Sequence, residues 1–182
     1  MDISKMKIEL WIVVATLSVV MGCSKSNNIN EELNIDSLMV ARGYDYVGEF
    51  SEGMAGVKKD GYWFFIDKDG KEYFKEREYD GVRNFSVGMA IIHKNRSWFF
   101  IDKDGKEYCK EREYDLVYDF CEGMAVVWKD NYKWFIDKEG KEYWRDREYD
   151  MVVSFNEGMA VVVKDGKTFY INKQGEIVKK EN

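Results

Sequence analysis

Residues 44–78 read YDYVGEFSEGMAGVKKDGYWFFIDKDGKEYFKERE, and the same phrase returns three more times before the chain ends. The copies open at Tyr44-Asp45, Tyr79-Asp80, Tyr114-Asp115 and Tyr149-Asp150, so the period is 35 residues without a slip. Phe50, Phe85, Phe120 and Phe155 each stand just ahead of a Gly-Met-Ala run that begins at Gly53, Gly88, Gly123 and Gly158. A period of this length marks a repeat architecture, in which each unit is one supersecondary motif that buries its apolar face against its neighbours. The units are 44–78, 79–113, 114–148 and 149–182.

Within a unit, Met54 to Lys58 is a short apolar stretch, Lys59-Asp60-Gly61 is a tight-turn signal, and Tyr62 to Ile66 is aromatic-rich. Together they predict a β-hairpin, since Asp-Gly suits a two-residue primed turn. Asp67-Lys68-Asp69-Gly70 predicts a second turn, with the Asp side chain capping its own backbone and the glycine at positive φ. Gly70, Gly105, Gly140 and Gly175 hold that turn position, and Asn172 keeps the short acceptor where the Asp is lost. Glu72 to Lys75 predicts a third strand. Both parities of the middle strand are apolar, Trp63 and Phe65 against Phe64 and Ile66, so this strand is expected to be covered on both sides.

The expected fold is therefore all-β: four antiparallel three-stranded meanders in an open, solenoid-like stack, with a closed small propeller or barrel as the alternative. Openness is expected because 35 residues suit three strands better than the four of a propeller blade. The last copy also supplies its own final strand at Glu176 to Lys179, which leaves no vacancy for Leu38 to Val40. Residues 33–43 are expected to cap the first unit, as a half-repeat or a short amphipathic helix, and Lys179 to Asn182 to blunt the last edge.

The phrase resembles the bacterial WG-repeat family, whose units carry an aromatic-Glu-Gly-small-Ala run, a turn, then Trp-Gly-aromatic-Ile-Asp and a further glycine. Phe50-Ser51-Glu52-Gly53-Met54-Ala55 and Trp63-Phe64-Phe65-Ile66-Asp67 with Gly70 fall in those places, and the likeness covers almost all of residues 44–182. It departs at the Trp-Gly pair. The glycine is Phe64, Phe99, Trp134 and Phe169 here, and the tryptophan persists only as Trp63 and Trp98, giving way to Lys133 and Thr168. The resemblance implies an array that acts as an interaction surface.

Outside the array, Lys5 and Lys7 precede an apolar run from Leu10 to Met21 that is short for a membrane span, so residues 1–22 read as a targeting segment. Val20-Met21-Gly22-Cys23 resembles a bacterial lipobox, which implies acylation of Cys23 and a lipid-anchored protein of the bacterial cell envelope. Ser24, where an aspartate would retain the protein at the inner membrane, favours the outer one by the same resemblance. The polar run from Ser24 to Glu32 suits a tether, making 23–43 a tether and cap. Cys109 and Cys121 have no cysteine counterparts in the other units, and whether they are bonded stays open.

The net charge of −6 is spread as interleaved Lys and Glu, so nucleic-acid binding is not expected. No catalytic residue, metal ligand or cofactor is expected either. His93, the only histidine, replaces Lys58, Trp128 and Val163 of the other copies, and Glu139 and Gln174 replace Asp69 in a turn that a calcium site would keep acidic. A non-catalytic binding or scaffold role on the envelope is the expected function, with a protein or glycan partner. Among the tryptophans, Trp128 and Trp144 are the candidates for a ligand platform, the first unique to its copy and the second placed on the outer strand. The rival is a glycan-active enzyme or its accessory glycan-binding subunit, with Glu52, Glu122 and Glu157 as its acid/base pool.

Overall fold

The computed structural model describes residues 41–180. The period of the sequence becomes a period in space: four separate antiparallel sheets follow one another, each a meander in chain order. The first contains β1 (Tyr46–Val47), β2 (Met54–Lys59), β3 (Tyr62–Asp67) and β4 (Glu72–Tyr73). The second contains β5 (Gly81–Val82), β6 (Met89–Lys94), β7 (Ser97–Asp102) and β8 (Glu107–Tyr108). The third contains β9 (Leu116–Val117), β10 (Ala125–Lys129), β11 (Tyr132–Ile136) and β12 (Glu142–Tyr143). The fourth contains β13 (Met151–Val152), β14 (Met159–Lys164), β15 (Lys167–Asn172) and β16 (Ile177–Lys180). No sheet closes into a barrel, and the arrangement is that of an open repeat stack.

Each sheet has four strands where three were expected. The extra one is β1 and its counterparts, which lie in the segment that reads as a loop around Tyr-Asp. Thirty-five residues accommodate four strands because the outer two are only two residues long in the first three sheets. The added strand is tied to β2 by a second hairpin with its tip at Glu52-Gly53. Ser51 and Met54 exchange both backbone hydrogen bonds there, at 2.8 and 3.0 Å. Glu52 and Gly53 have φ of 54° and 85°, the pair of positive values that a type I′ turn requires. Asp60-Gly61, at 53° and 88°, makes the expected hairpin between β2 and β3.

The Asp67 turn locks the other end of β3. Its Oδ1 accepts from the backbone N–H of Asp69 and Lys71 at 3.0 and 2.9 Å, and its Oδ2 accepts from the Tyr73 hydroxyl at 2.9 Å. Asn172 repeats the two backbone bonds with Gln174 and Glu176. Beyond β4 the chain does not continue as a strand through Lys75. Phe74 adopts a left-handed conformation, φ 60°, and Lys75–Arg77 form a 3-10 turn. Cys109 and Trp144 do the same at 61° and 55°.

Side chains of alternating parity leave each sheet in opposite directions and meet those of the next sheet. Met54 and Phe65 of the first pack with Tyr79, Phe85, Ile92 and Phe99 of the second. Ile91 and Phe100 meet Tyr114, Phe120, Val127 and Trp134, and Val126 and Phe135 meet Tyr149, Phe155, Val162 and Ile171. The middle strands β3, β7 and β11 are thus covered on both sides, as their double apolar parity predicts, whereas β15 of the fourth sheet buries only Ile171. Tyr44, Ala55, Val57, Phe64 and Ile66, on the first sheet's other face, are buried as well.

Polar clasps repeat across the same junctions. Lys103 Nζ donates to the Glu52 carbonyl at 2.8 Å, Lys138 to that of Val87 at 2.6 Å and Lys173 to that of Glu122 at 2.9 Å. At the start of the described chain, Lys59 Nζ donates to the Arg42 carbonyl at 2.7 Å. Lys94, Lys129 and Lys164 make the same bond to Arg77, Arg112 and Arg147. Residues 41–42, helical in conformation, therefore stand where the later units have a 3-10 turn. Leu38 and Met39 lie outside the described residues.

Candidate functional site

Of the residues singled out above, Cys23 lies outside the described residues. Gly70, Gly105, Gly140 and Gly175 have φ of 75°, 80°, 80° and 77°. Three of them also make room: a Cβ on Gly105 would lie 2.4 Å from Phe74 Cε1, on Gly140 2.7 Å from Cys109 Sγ, and on Gly175 2.3 Å from Trp144 Nε1. Trp144 is thus the last of three plugs that the left-handed residue after β4, β8 or β12 pushes onto the next unit's glycine. It is not on an outer strand, and its ring packs 5.5 Å from Phe135 and 6.2 Å from Phe155. Cys109, the middle plug, is a free thiol and so is not bonded to Cys121. Burial pushes that thiol up from its ordinary range, which makes it a poor nucleophile.

Two of the three glutamates in the candidate acid/base pool hold units together. Glu52 and Glu122 each accept from a backbone N–H of the next hairpin tip, Gly88 and Gly158, at 3.0 Å, and pair with Lys103 and Lys173 at 3.4 and 3.1 Å. Partial burial alone would raise the Glu122 carboxyl, but the Lys173 ammonium and the Gly158 N–H outweigh it and hold it below the usual range. Val87 occupies the same place in the second unit and keeps the clasp through its carbonyl. Tyr44, buried and donating to Glu72 at 3.0 Å, is pushed up to about 12 by burial and then by that carboxylate. Among the described residues, no three His, Cys, Asp or Glu side chains are grouped to hold a metal ion.

A row of half-exposed rungs runs along one flank, built by the register of the first three strands in each sheet. Tyr46, Lys58 and Trp63 are cross-strand partners in the first, as are Gly81, His93 and Trp98 in the second and Leu116, Trp128 and Lys133 in the third. In the first, Tyr46 and Trp63 rings lie 5.3 Å apart at 60°. In the second, His93 stacks on Trp98 at 4.6 Å and 27°, and the Arg83 guanidinium sits 5.5 Å from the same indole. In the third, Lys133 Nζ is 4.5 Å from the Trp128 ring. Trp128 therefore belongs to this flank whereas Trp144 belongs to the core, so the two do not form one platform. Trp134 is buried core too, its Nε1–H without a partner.

Two clefts of about 300 Å³ open beside the rungs. One is walled by Tyr46, Glu49 and Trp63 of the first unit and Val82 and Asn84 of the second, and floored by Gly48 and Gly56. The other is lined by Arg83, Asn84, Ser86 and Asp119. Glu49, Asn84 and Asp119 are the same position in successive units. A third cavity, about 470 Å³, is mostly apolar and lies on the fourth sheet around Tyr149, Phe169 and Ile177. Reading the sequence for tryptophans missed the first cleft. Its signal was Gly48, aligned with Arg83, Tyr118 and Val153 in the other units.

No curated protein matches the chain in sequence. Among solved structures, the AfRom2 CNH domain is similar at 7% identity and a TM-score of 0.35, with 75% of this chain and 53% of that one covered, so the chain spans about half of its length. The family model described as "WG containing repeat" matches four times in succession, over residues 38–63, 63–96, 98–134 and 135–167. With most of its length accounted for in this way and one sheet for each repeat, the chain belongs to the WG-repeat family.

Proposed function

We propose that this protein is a non-catalytic binding module of the bacterial cell envelope, anchored to a membrane by a lipid on Cys23. The observation that carries the binding role is the flank of half-exposed aromatic and cationic rungs. Aromatic rings beside charged groups are the side chains that dominate protein recognition surfaces. The glycan-active alternative would draw on Glu52, Glu122 and Glu157, of which the first two are committed to clasps between units. The anchor rests on the lysines and apolar run ahead of Cys23, with Ser24 favouring the outer membrane.

Crosslinking in intact cells followed by recovery of the protein from solubilised envelope tests the binding role. One partner protein should be enriched over a control in which Trp63, Trp98 and Trp128 are replaced by serine, and equal recovery from both would refute the role. Cys23→Ser should abolish uptake of labelled fatty acid and release the protein from membranes. Continued labelling would place the anchor elsewhere.

A further inference from the structure

The first cleft lacks a cation of its own where its neighbour carries one. In the second unit, the residue at the Gly48 position is Arg83, whose guanidinium lies 5.5 Å from the Trp98 ring and lines a cleft with Asn84 and Asp119. An indole thus lies beneath that planar cation, and an amide and a carboxylate line the cleft beside it. In the first unit the same three kinds of group are present, as Trp63, Glu49 and Asn84, but position 48 has no side chain. Tyr46 adds a second ring to the wall.

The polar groups of this cleft are uncommitted. The Glu49 and Asn84 side chains make no hydrogen bond or ion pair among the described residues, and no cation sits over Trp63 or Tyr46. Cations do cover Trp98 and Trp128 in the next two units. The floor is prepared as well: the Gly48 N–H donates to the Gly56 carbonyl at 2.8 Å, so its backbone makes no demand on a ligand. A guanidinium suits such a place better than an ammonium, because it is planar, stacks on aromatic faces and presents donors in a fixed fork to a carboxylate.

From this internal comparison we infer that the cleft between the first and second units is a socket for the guanidinium of an arginine side chain presented by a partner protein. The inference rests on the binding-module reading and supplies its partner chemistry. An incoming arginine would lay its guanidinium against Trp63, pair with the Glu49 carboxylate and donate to the Asn84 side-chain oxygen. No bond is made or broken.

The test uses the full chain in detergent micelles, with the indole N–H resonances of its tryptophans followed by NMR. Titration with N-acetyl-arginine methylamide should move the Trp63 signal saturably, and the citrulline analogue, of similar shape but uncharged, should not. Glu49→Gln should weaken arginine binding by about three- to fivefold, the worth of one exposed charge pair. Gly48→Arg, which copies the second unit, should abolish it and leave the other indole signals in place. Equal response to arginine and citrulline would overturn the inference. So would movement of Trp63 by chitin oligosaccharides in place of arginine, which would make the cleft a sugar subsite. If arginine fails while crosslinking still recovers a protein, the socket is refuted and the binding module survives. If arginine binds and no partner is recovered, the reverse holds.

Discussion

Met54 and Met89 begin the second strand of the first two units, Met124 immediately precedes that of the third, and they are 7%, 7% and 9% exposed, whereas Met159, in the same place in the fourth, is 43% exposed. Tyr170 is half-exposed where Phe65, Phe100 and Phe135 are buried. The four phrases differ little at these positions, so burial is conferred by the next sheet and not by the sheet that owns the side chain. In a linear array, stability accordingly resides in the junctions.

The largest expected effect contrasts a junction with the open face. Phe135→Ala removes a fully buried ring between the third and fourth sheets and should cost about 3–5 kcal/mol in urea unfolding. Tyr170→Ala, at the equivalent position with no further sheet beyond it among the described residues, should cost about 1 kcal/mol or less. Equal losses would mean that the fourth sheet's outer face is covered in solution.

This contrast also marks what the sequence made legible. The number of units, the Asp-Gly hairpins and the double-sided burial of the middle strands in the first three sheets follow from periodicity, because side-chain parity and turn chemistry are local. The first strand of each sheet was hidden because it has two residues, and two residues carry no alternation. The Glu52-Gly53 turn was hidden because a glutamate at positive φ is not a turn signal. Trp144 misled for a related reason: a left-handed residue after β12 sends its side chain toward the next unit, and no pattern in Tyr143-Trp144-Arg145 announces that reversal. The candidate site was least legible of all. The cleft exists through a side chain that Gly48 lacks, and the sequence displays what Gly48 lacks only when units are compared position by position.

A smaller effect separates two requirements on glycine that coincide at the junctions. Gly175 and Gly158 have φ of 77° and 78°, so alanine strains the backbone equally at both, by about 1 kcal/mol. Around Gly158 nothing lies within 4 Å of the added methyl, whereas at Gly175 it would meet the Trp144 ring at 2.3 Å. Gly175→Ala should therefore cost a further ~1–3 kcal/mol, as overpacking does. Combining it with Trp144→Ser should recover part of that excess in a double-mutant cycle, and additive losses would remove Trp144 from the explanation.

The smallest effect is a pH dependence that distinguishes the second unit from the fourth. Partial burial would raise the Asp102 carboxyl, but the Lys106 backbone N–H, the Tyr108 hydroxyl and the Asp104 N–H together hold it below the usual range. A carboxyl whose folded value is depressed stabilises the folded state above its unfolded value, about 3.9, and loses that contribution as pH falls through the folded value. The fourth unit makes the corresponding backbone bonds with Asn172, which does not titrate in this range. Below about pH 4, the Lys106 amide should then lose exchange protection relative to neutral pH, while the Glu176 amide, bonded to Asn172 Oδ1, should keep it after correction for intrinsic exchange. Asp102→Asn should make the two amides respond alike. Parallel loss in the unaltered protein would mean that acid acts on the whole stack at once, and that the two turns do not differ in the way their side chains require.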